Sequence, residues 1–419
     1  MPHDKLQAVL AAKIEALERD GRTKGAEVVF SGVIPPSDGK GTRYLLAGEG
    51  ERPFLRMNSN GYLGMAQRPE VMAAEEDAVK AFGTGPGAVR FISGTWTPHI
   101  QLERKLADFH GREAAMIYSS AYAAMVGILT PLITSETAVI SDVLNHNCII
   151  NAVRLARPKE KHVYAHLDMV KLEDCLKQAA KNCRRAIVVT DGIFSMRGDH
   201  APLDQIMKLA RRYDQSFAEN VVVVADDSHG VGAFGATGRG TEQYTSAEPV
   251  DILVATLGKA FGINGGYVAT SEAVIRYLRE TSPLYIYSNP ITPGEAAAAC
   301  AALDVVNGPE GDTLLAHLRA MTARFEQGLS DLGFETIPGE HPVVPLMVRD
   351  TQRTAALVAH LRAAGVLATG LNYPVVPKGD EEIRFQISAD HTLVDIDEAL
   401  EVLANFEDSV SSKDQILTL

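Results

Sequence analysis

The chain has 419 residues, 46% of them hydrophobic and 22% charged, which suits a globular protein with a sizeable core and room for one large and one smaller lobe. Its formal net charge of -13 disfavours nucleic acid or an anionic membrane surface as the main partner and leaves, for an anionic ligand, only a local basic pocket. The four cysteines, Cys148, Cys175, Cys183 and Cys300, form no CxxC pair and no zinc-like cluster, as expected of reduced thiols in a cytoplasmic protein.

The first twenty residues are charged throughout and have no signal-peptide apolar stretch. Residues 4–20 instead put Leu6, Val9, Leu10, Ile14 and Leu17 on one face of an amphipathic helix. That face predicts docking, with a partner subunit as one candidate, and Gly21 is expected to end the helix. Residues 25–57 mix glycine, proline and short β-like runs and read as an arm, followed by a turn-rich loop at 58–64.

From about residue 66 helices and strands alternate. Helices are expected over 98–110, 121–133, 168–181 and 202–213. The apolar runs at 114–118, 138–142, 185–191, 221–226 and 252–255 predict strands. Strands this apolar are buried on both faces, the pattern of a parallel sheet covered by helices. The most apolar segment, residues 123–133, holds a glycine and a proline and is too short to span a bilayer. Beyond about 294 an α+β block follows: helices at 294–306, 312–332, 351–364 and 392–406, and strands at 343–348, 366–369 and 383–388. A loose tail is expected after 407.

Ligands of such sheets collect beyond the carboxyl ends of the strands, so the polar residues there carry the chemistry. The run 221–226 closes on Asp226, with His229 three positions on, and the next strong strand leads into Thr256-Leu-Gly-Lys259. A lysine just past a buried strand end, among small residues, has a partly desolvated amine suited to Schiff-base chemistry. A strand-end aspartate beside it suits the protonated pyridine nitrogen of pyridoxal phosphate. The plain alternatives are a solvated lysine and a capping aspartate. Gly230-Val-Gly232-Ala-Phe-Gly235 matches a dinucleotide fingerprint, but Ala-Thr-Gly-Arg-Gly follows it and opens a helix poorly. Asp226, Asp227 and His229 could ligate a metal, yet no second cluster at ligand spacing accompanies them.

These residues belong to longer runs: SNGYLGM, VRFISGT, SDVLNH, TDGIFSMRGDHAPL, DDSHGVGAFGATGRG, TLGKAFG and IRFQISADHT. Over about residues 25–406 the chain resembles the α-oxoamine synthase family of pyridoxal-phosphate enzymes. Its NYPVVPKG and IRFQISADHT runs are most similar to the glycine C-acetyltransferase (2-amino-3-ketobutyrate CoA ligase) branch. The resemblance implies an α/β fold of type I, aspartate aminotransferase-like, with a mostly parallel central sheet and a smaller α+β C-terminal domain. The implied division is 1–60 helix and arm, 61–293 cofactor-binding domain, 294–407 small domain and 408–419 tail.

The family's functional residues fall on positions of this chain. Lys259 is implied to hold the cofactor as an imine and then to act as base at the substrate Cα. Asp226 is implied to pair with the pyridinium nitrogen, His229 and Ser195 to bond the ring hydroxyl, and His146 to stack on the ring. Thr256 and the backbone N–H groups of Ala121 and Tyr122, opening a helix, are implied to cradle the phosphate. Ser288 matches a segment that reaches into the neighbouring subunit's phosphate site, so a homodimer is implied. Asn60 and Arg384 match positions that bind the amino-acid carboxylate.

Four departures, at Gly61, Trp96, Asn147-Cys148 and the loop 119–125, are expected near the substrates. The implied reaction is a Claisen condensation between a small amino acid, glycine first, and an acyl thioester, acetyl-CoA first. Alanine or serine with a longer acyl-CoA or a carrier-protein thioester, as in 8-amino-7-oxononanoate synthase or serine palmitoyltransferase, is the alternative. An aminotransferase or lyase of the same fold, or a scaffold with a degenerate site, are the readings of other classes.

Overall fold

The computed structural model describes residues 3–20, 22–23, 26–373 and 375–406 and is built around a seven-stranded sheet. In chain order its strands are β1 (Ala114–Tyr118), β2 (Thr137–Asp142), β3 (Glu160–Tyr164), β4 (Arg185–Asp191), β5 (Val221–Asp226), β6 (Ile252–Thr256) and β7 (Gly266–Thr270). Across the sheet they run β1-β7-β6-β5-β4-β2-β3. All neighbours are parallel except β7, which is antiparallel to both β1 and β6.

Alternation along the strands explains why both faces need covering. Ile187, Val189, Val224 and Val254 join one core cluster, while Ala186, Val188, Val223 and Leu253 join another on the opposite face. Side chains of successive strand residues point to opposite faces, so a run such as 186–189 must be apolar throughout to be buried twice.

Two strands of this sheet were not foreseen from their residues. Edge strand β3 alternates exposed and buried positions, so Glu-Lys-His-Val-Tyr has no apolar run to read. Strand β7 begins with the glycine pair after Lys259 and makes the sheet mixed, turning back beside β6 as an antiparallel partner.

A second sheet is formed by β8 (Glu335–Thr336), β9 (Val343–Met347), β10 (Thr369–Leu371) and β11 (Glu382–Gln386), ordered β8-β9-β11-β10 and wholly antiparallel. The run expected as one strand at 366–369 divides. Val366–Leu367 pairs in parallel with Leu55–Arg56, and only Thr369 onward joins β11. Residues 54–57 are accordingly core rather than arm: Phe54, Leu55 and Met57 are fully buried. Asp395, fully buried in the last helix, ties the preceding stretch down by accepting from Arg43 Nη2 at 2.6 Å and from the Gly41 amide at 2.9 Å.

The helix Asp4–Arg19 forms as expected and buries none of its residues; Leu6, Val9, Leu10, Ile14 and Leu17 are all exposed. Gly21 and the tail from 407 lie outside the described residues. Among the described residues no helix is long and apolar enough to cross a membrane.

Candidate active site

The parallel register sets one edge of the sheet with acids. Asp142 closes β2, and Asp191 and Asp226 close β4 and β5 as directly paired neighbours. Beyond these ends lies a cavity of about 250 Å³ lined by Ser120, Ala121, Tyr122, His146, Cys148, Asp191, Ile193, Ser195, Asp226, Ser228, His229, Thr256 and Lys259. Eight of the eleven residues singled out from the sequence therefore meet in one space: Ala121, Tyr122, His146, Ser195, Asp226, His229, Thr256 and Lys259.

Lys259 lies just past β6. Burial pushes its amine down to about 8, against the opposing pull of Asp226 and then Asp191. Asp226 Oδ1 accepts the Ser228 amide at 3.1 Å, and its Oδ2 lies 3.5 Å from the Cys148 thiol. Asp191 is pushed well above the ordinary carboxyl range by burial and by the neighbouring Asp226. That carboxyl accepts the His146 amide at 2.9 Å, while Asn145 Oδ1 accepts the Asp191 amide at 2.9 Å.

The histidines are held neutral from two sides. His146 caps the helix Asn147–Ala156, its Nδ1 accepting from the Cys148 amide at 3.3 Å. Burial lowers its pKa and Asp226 opposes that. His229 is held well below the usual histidine range by burial first and the Lys259 charge next. Its Nδ1 lies 2.7 Å from the Tyr62 hydroxyl, and its carbonyl accepts from His341 Nε2 at 2.9 Å.

On the other side of Lys259 the helix Ala121–Leu132 begins, capped by Ser120, whose Oγ accepts from the Ala123 amide at 3.0 Å. The amides of Ala121 and Tyr122 belong to the first turn, which has no intrahelical acceptors for them. Thr256 Oγ1 stands nearby, donating to the Gly265 carbonyl at 3.1 Å and accepting from the Gly258 amide at 3.0 Å. A Cβ on Gly266 would lie 2.1 Å from the Ala121 nitrogen, so only glycine lets β7 pass this close to the helix start.

Three sequence-selected residues stand outside the cavity lining. Arg384 donates through Nη1 to the Ser195 carbonyl and through Nη2 to Asn60 Oδ1, each at 2.9 Å, and so adjoins the cavity through Ser195. With its amide carbonyl turned inward, Gln386 also accepts from this guanidinium. Ser288 follows the short helix Pro283–Ile286 beside Tyr287, which is 80% exposed. Of the four departures, Cys148 and the loop 119–125 face the cavity, whereas Trp96 starts the helix Thr97–His110 and bonds the Pro86 carbonyl. Gly61 lies behind it, its carbonyl accepting from Ser388.

Asp191, Ser228, Tyr62 and His341 were not selected from the sequence as site residues. Asp191 carries the same signal as Asp226, a carboxylate closing a buried strand. His341 arrives from the second sheet and has no such signal.

Gly230, which opens the glycine run 230–235, has an explanation other than a dinucleotide fold and shares it with Gly192 and Gly240. A Cβ on Gly192, Gly230 or Gly240 would come within 2.2 Å of an Asp227 carboxylate oxygen. They leave room for this buried acid, which accepts from the amide and the hydroxyl of Thr241, both at 2.7 Å. Among the described residues no group of three or more His, Cys, Asp and Glu could hold a metal ion.

The donor set fits pyridoxal phosphate. An amine of lowered pKa, a carboxylate at the floor, a neutral imidazole on one side and a helix N-terminus with a hydroxyl on the other match its aldehyde, ring nitrogen, ring face and phosphate. Ser228 Oγ, buried in this wall with no hydrogen-bond partner, marks a polar group that a ligand could satisfy.

Comparison with known proteins agrees with this chemistry. The model of the aminotransferase class I and II family matches residues 52–403. The mitochondrial 2-amino-3-ketobutyrate coenzyme A ligase of Bos taurus is 37% identical over 399 residues, 95% of this chain and 91% of that protein. An 8-amino-7-oxononanoate synthase of Bacillus velezensis is 40% identical over 351 residues, 83% of this chain and 87% of that protein. Among solved structures, the serine palmitoyltransferase of Sphingomonas wittichii superposes with a TM-score of 0.85 at 26% identity, covering 97% of both chains.

Proposed function

The chain belongs to the aminotransferase class I and II family and, within it, to the α-oxoamine synthases, pyridoxal-phosphate-dependent C-acyltransferases, and on that premise we propose that it condenses glycine with a short acyl-CoA, acetyl-CoA first. When bound, pyridoxal phosphate supplies an electron sink that acidifies the Cα–H bond of an amino acid attached to it. The protein's residues do the rest.

Lys259 is the base that takes the Cα proton: its lowered pKa leaves a usable fraction of free amine near neutral pH. Asp226 would hold the ring nitrogen protonated, His146 would cover the ring face, and His229 and Ser195 would bond its hydroxyl. Thr256 and the amides of Ala121 and Tyr122 bind the phosphate. Arg384, its plane fixed by Asn60 and Ser195, binds the amino-acid carboxylate as a bidentate partner. The Cα then attacks the thioester carbonyl; a C–C bond forms, the C–S bond breaks, and the thiolate leaves and takes a proton.

The observation that carries this reading is the pairing of a Lys259–Asp226 cavity with a half-buried arginine at its edge. Glycine and acetyl-CoA come first because the NYPVVPKG and IRFQISADHT runs resemble the glycine C-acetyltransferase branch and the Bos taurus ligase aligns over nearly the whole chain. The similarity to 8-amino-7-oxononanoate synthases supports a second reading, alanine or serine with a longer acyl thioester. A matrix of glycine, alanine and serine against short and long acyl-CoAs, read by thiol release and product mass, tests the choice. Release only with long chains and alanine would overturn the first reading.

We further propose a homodimer in the cytoplasm, with Ser288 serving the neighbouring subunit's phosphate site, and the division of the chain near residues 60, 293 and 407. The exposed apolar face of the helix Asp4–Arg19 and the exposed Tyr287 support the dimer, and the four unpaired cysteines suit a reducing compartment. Light scattering of the purified protein checks the dimer; a monomer at micromolar concentration would refute it.

A further inference from the structure

A second cavity, of about 170 Å³, shares Ser195 with the first. Its wall is mostly apolar, with Phe194, Met196, Met347 and Val376 among the lining residues, yet Glu382 stands in it. Glu382 sits on β11 two residues before Arg384, so strand alternation puts the two side chains on one face, the arginine toward the amino-acid end and the glutamate toward this cavity.

Glu382 is only 2% exposed, and its Oε1 is sealed from solvent without a hydrogen-bond partner. Burial pushes its carboxyl up to about 8, with Arg384 and Arg197 pulling the other way. An unpaired buried carboxyl costs stability, so its presence in a cavity wall next to an active site marks that wall as one with a part in binding.

The other charges around this space are matched. Arg197 Nε donates to Asp199 Oδ2 at 2.7 Å, and the same oxygen is 3.2 Å from His166. Asp380 accepts from Arg349 at 2.6 Å, and Arg349 also pairs with Glu335. Arg384 is placed above at the amino-acid carboxylate, held there by Asn60 and Ser195. Among the described residues lining this cavity the cation is Arg197, and its ion-pair partner is Asp199.

We infer that this cavity receives the acyl arm of the thioester and that Glu382 makes it select an uncharged acyl group over one ending in a carboxylate. The inference rests on the synthase reading above and narrows its substrate class. An uncharged acyl chain packs on the apolar wall and brings no second charge to Glu382. A carboxylate-ended chain brings a second acid beside Glu382 into a mostly apolar space whose lining cation, Arg197, already pairs with Asp199, and so loses hydration.

The test compares two four-carbon thioesters that differ only in a terminal methyl or carboxylate, butyryl-CoA and succinyl-CoA, with glycine and the loaded enzyme, by thiol release. The wild type is expected to favour butyryl-CoA by about 100-fold in kcat/KM, and Glu382→Gln, which cannot ionise and can donate to a carboxylate, to narrow that ratio by about tenfold. Calorimetric titration of the wild type with each thioester supplies a measurement free of any variant, with butyryl-CoA expected to bind more tightly. Equal kcat/KM for the two esters, or a ratio unmoved in a folded Glu382→Gln, overturns the inference while thiol release itself upholds the synthase reading. Thiol release from no acyl-CoA with any amino acid overturns both.

Discussion

Replacing Asp226 with asparagine removes the anion that opposes the burial of the Lys259 amine, and the pKa of that amine should fall below its already lowered value. In the wild type, burial takes Lys259 from 10.5 to about 8. At pH 7 an amine of pKa 10.5 is neutral in roughly one molecule in three thousand, and one of pKa 8 in roughly one in eleven, a gain of about 300-fold in nucleophile. Asp226 and Asp191 both pull against this shift, Asp226 the more strongly. The assay is labelling of Lys259 by an amine-reactive reagent on cofactor-free protein from pH 5.5 to 10, followed by mass spectrometry of its peptide. The expected midpoint is near 8 for the wild type, clearly lower for Asp226→Asn, and lowered less for Asp191→Asn. A wild-type midpoint near 10.5, or an upward shift in Asp226→Asn, would refute the reasoning.

Arg384→Lys loses the planar fork that Asn60 and Ser195 orient, and should raise KM for the amino acid and lower kcat/KM by about 10- to 100-fold, measured by steady-state thiol release. Gly266→Ala puts a Cβ 2.1 Å from the Ala121 nitrogen. β7 and the helix start must part, and the dissociation constant for pyridoxal phosphate should rise at least about tenfold by fluorescence titration, with unchanged affinity counting against the phosphate cradle. Asp227, pushed by burial from 3.8 up to about 7, binds its proton more tightly folded than unfolded. Its contribution to stability is present below about pH 4 and is lost as pH rises through about 7. Urea midpoints should therefore fall less between pH 5 and pH 8 in Asp227→Asn than in the wild type; an identical fall would show that Asp227 does not titrate there.

The strands buried on both faces were legible because an unbroken apolar run, as in 186–189, has few other uses. β3 was not, since an edge strand needs only one apolar face, and β7 was masked by the glycines that let it turn back beside Lys259. Within the site, the residues at strand ends carried a local signal and the structure brings them together: Asp226, His229, Thr256 and Lys259. The walls contributed by distant parts of the chain did not. Tyr62 and His341 reach His229 from segments far away in sequence, and nothing in their neighbours indicates it. Asp191 could have been found by the rule that found Asp226. The unpaired state of Glu382 was not readable at all, because it depends on where Arg197, Asp380 and Arg384 find their own partners.

The central claim is that Lys259 and Asp226 serve a condensation rather than a transamination. The direct measurement is free thiol released from acetyl-CoA in the presence of glycine by the loaded enzyme, with Lys259→Ala in parallel. The expected result is glycine-dependent thiol release together with a condensed product of matching mass, lost by at least about 1000-fold in the variant. A keto acid formed from the amino acid alone, without thiol release, would contradict it.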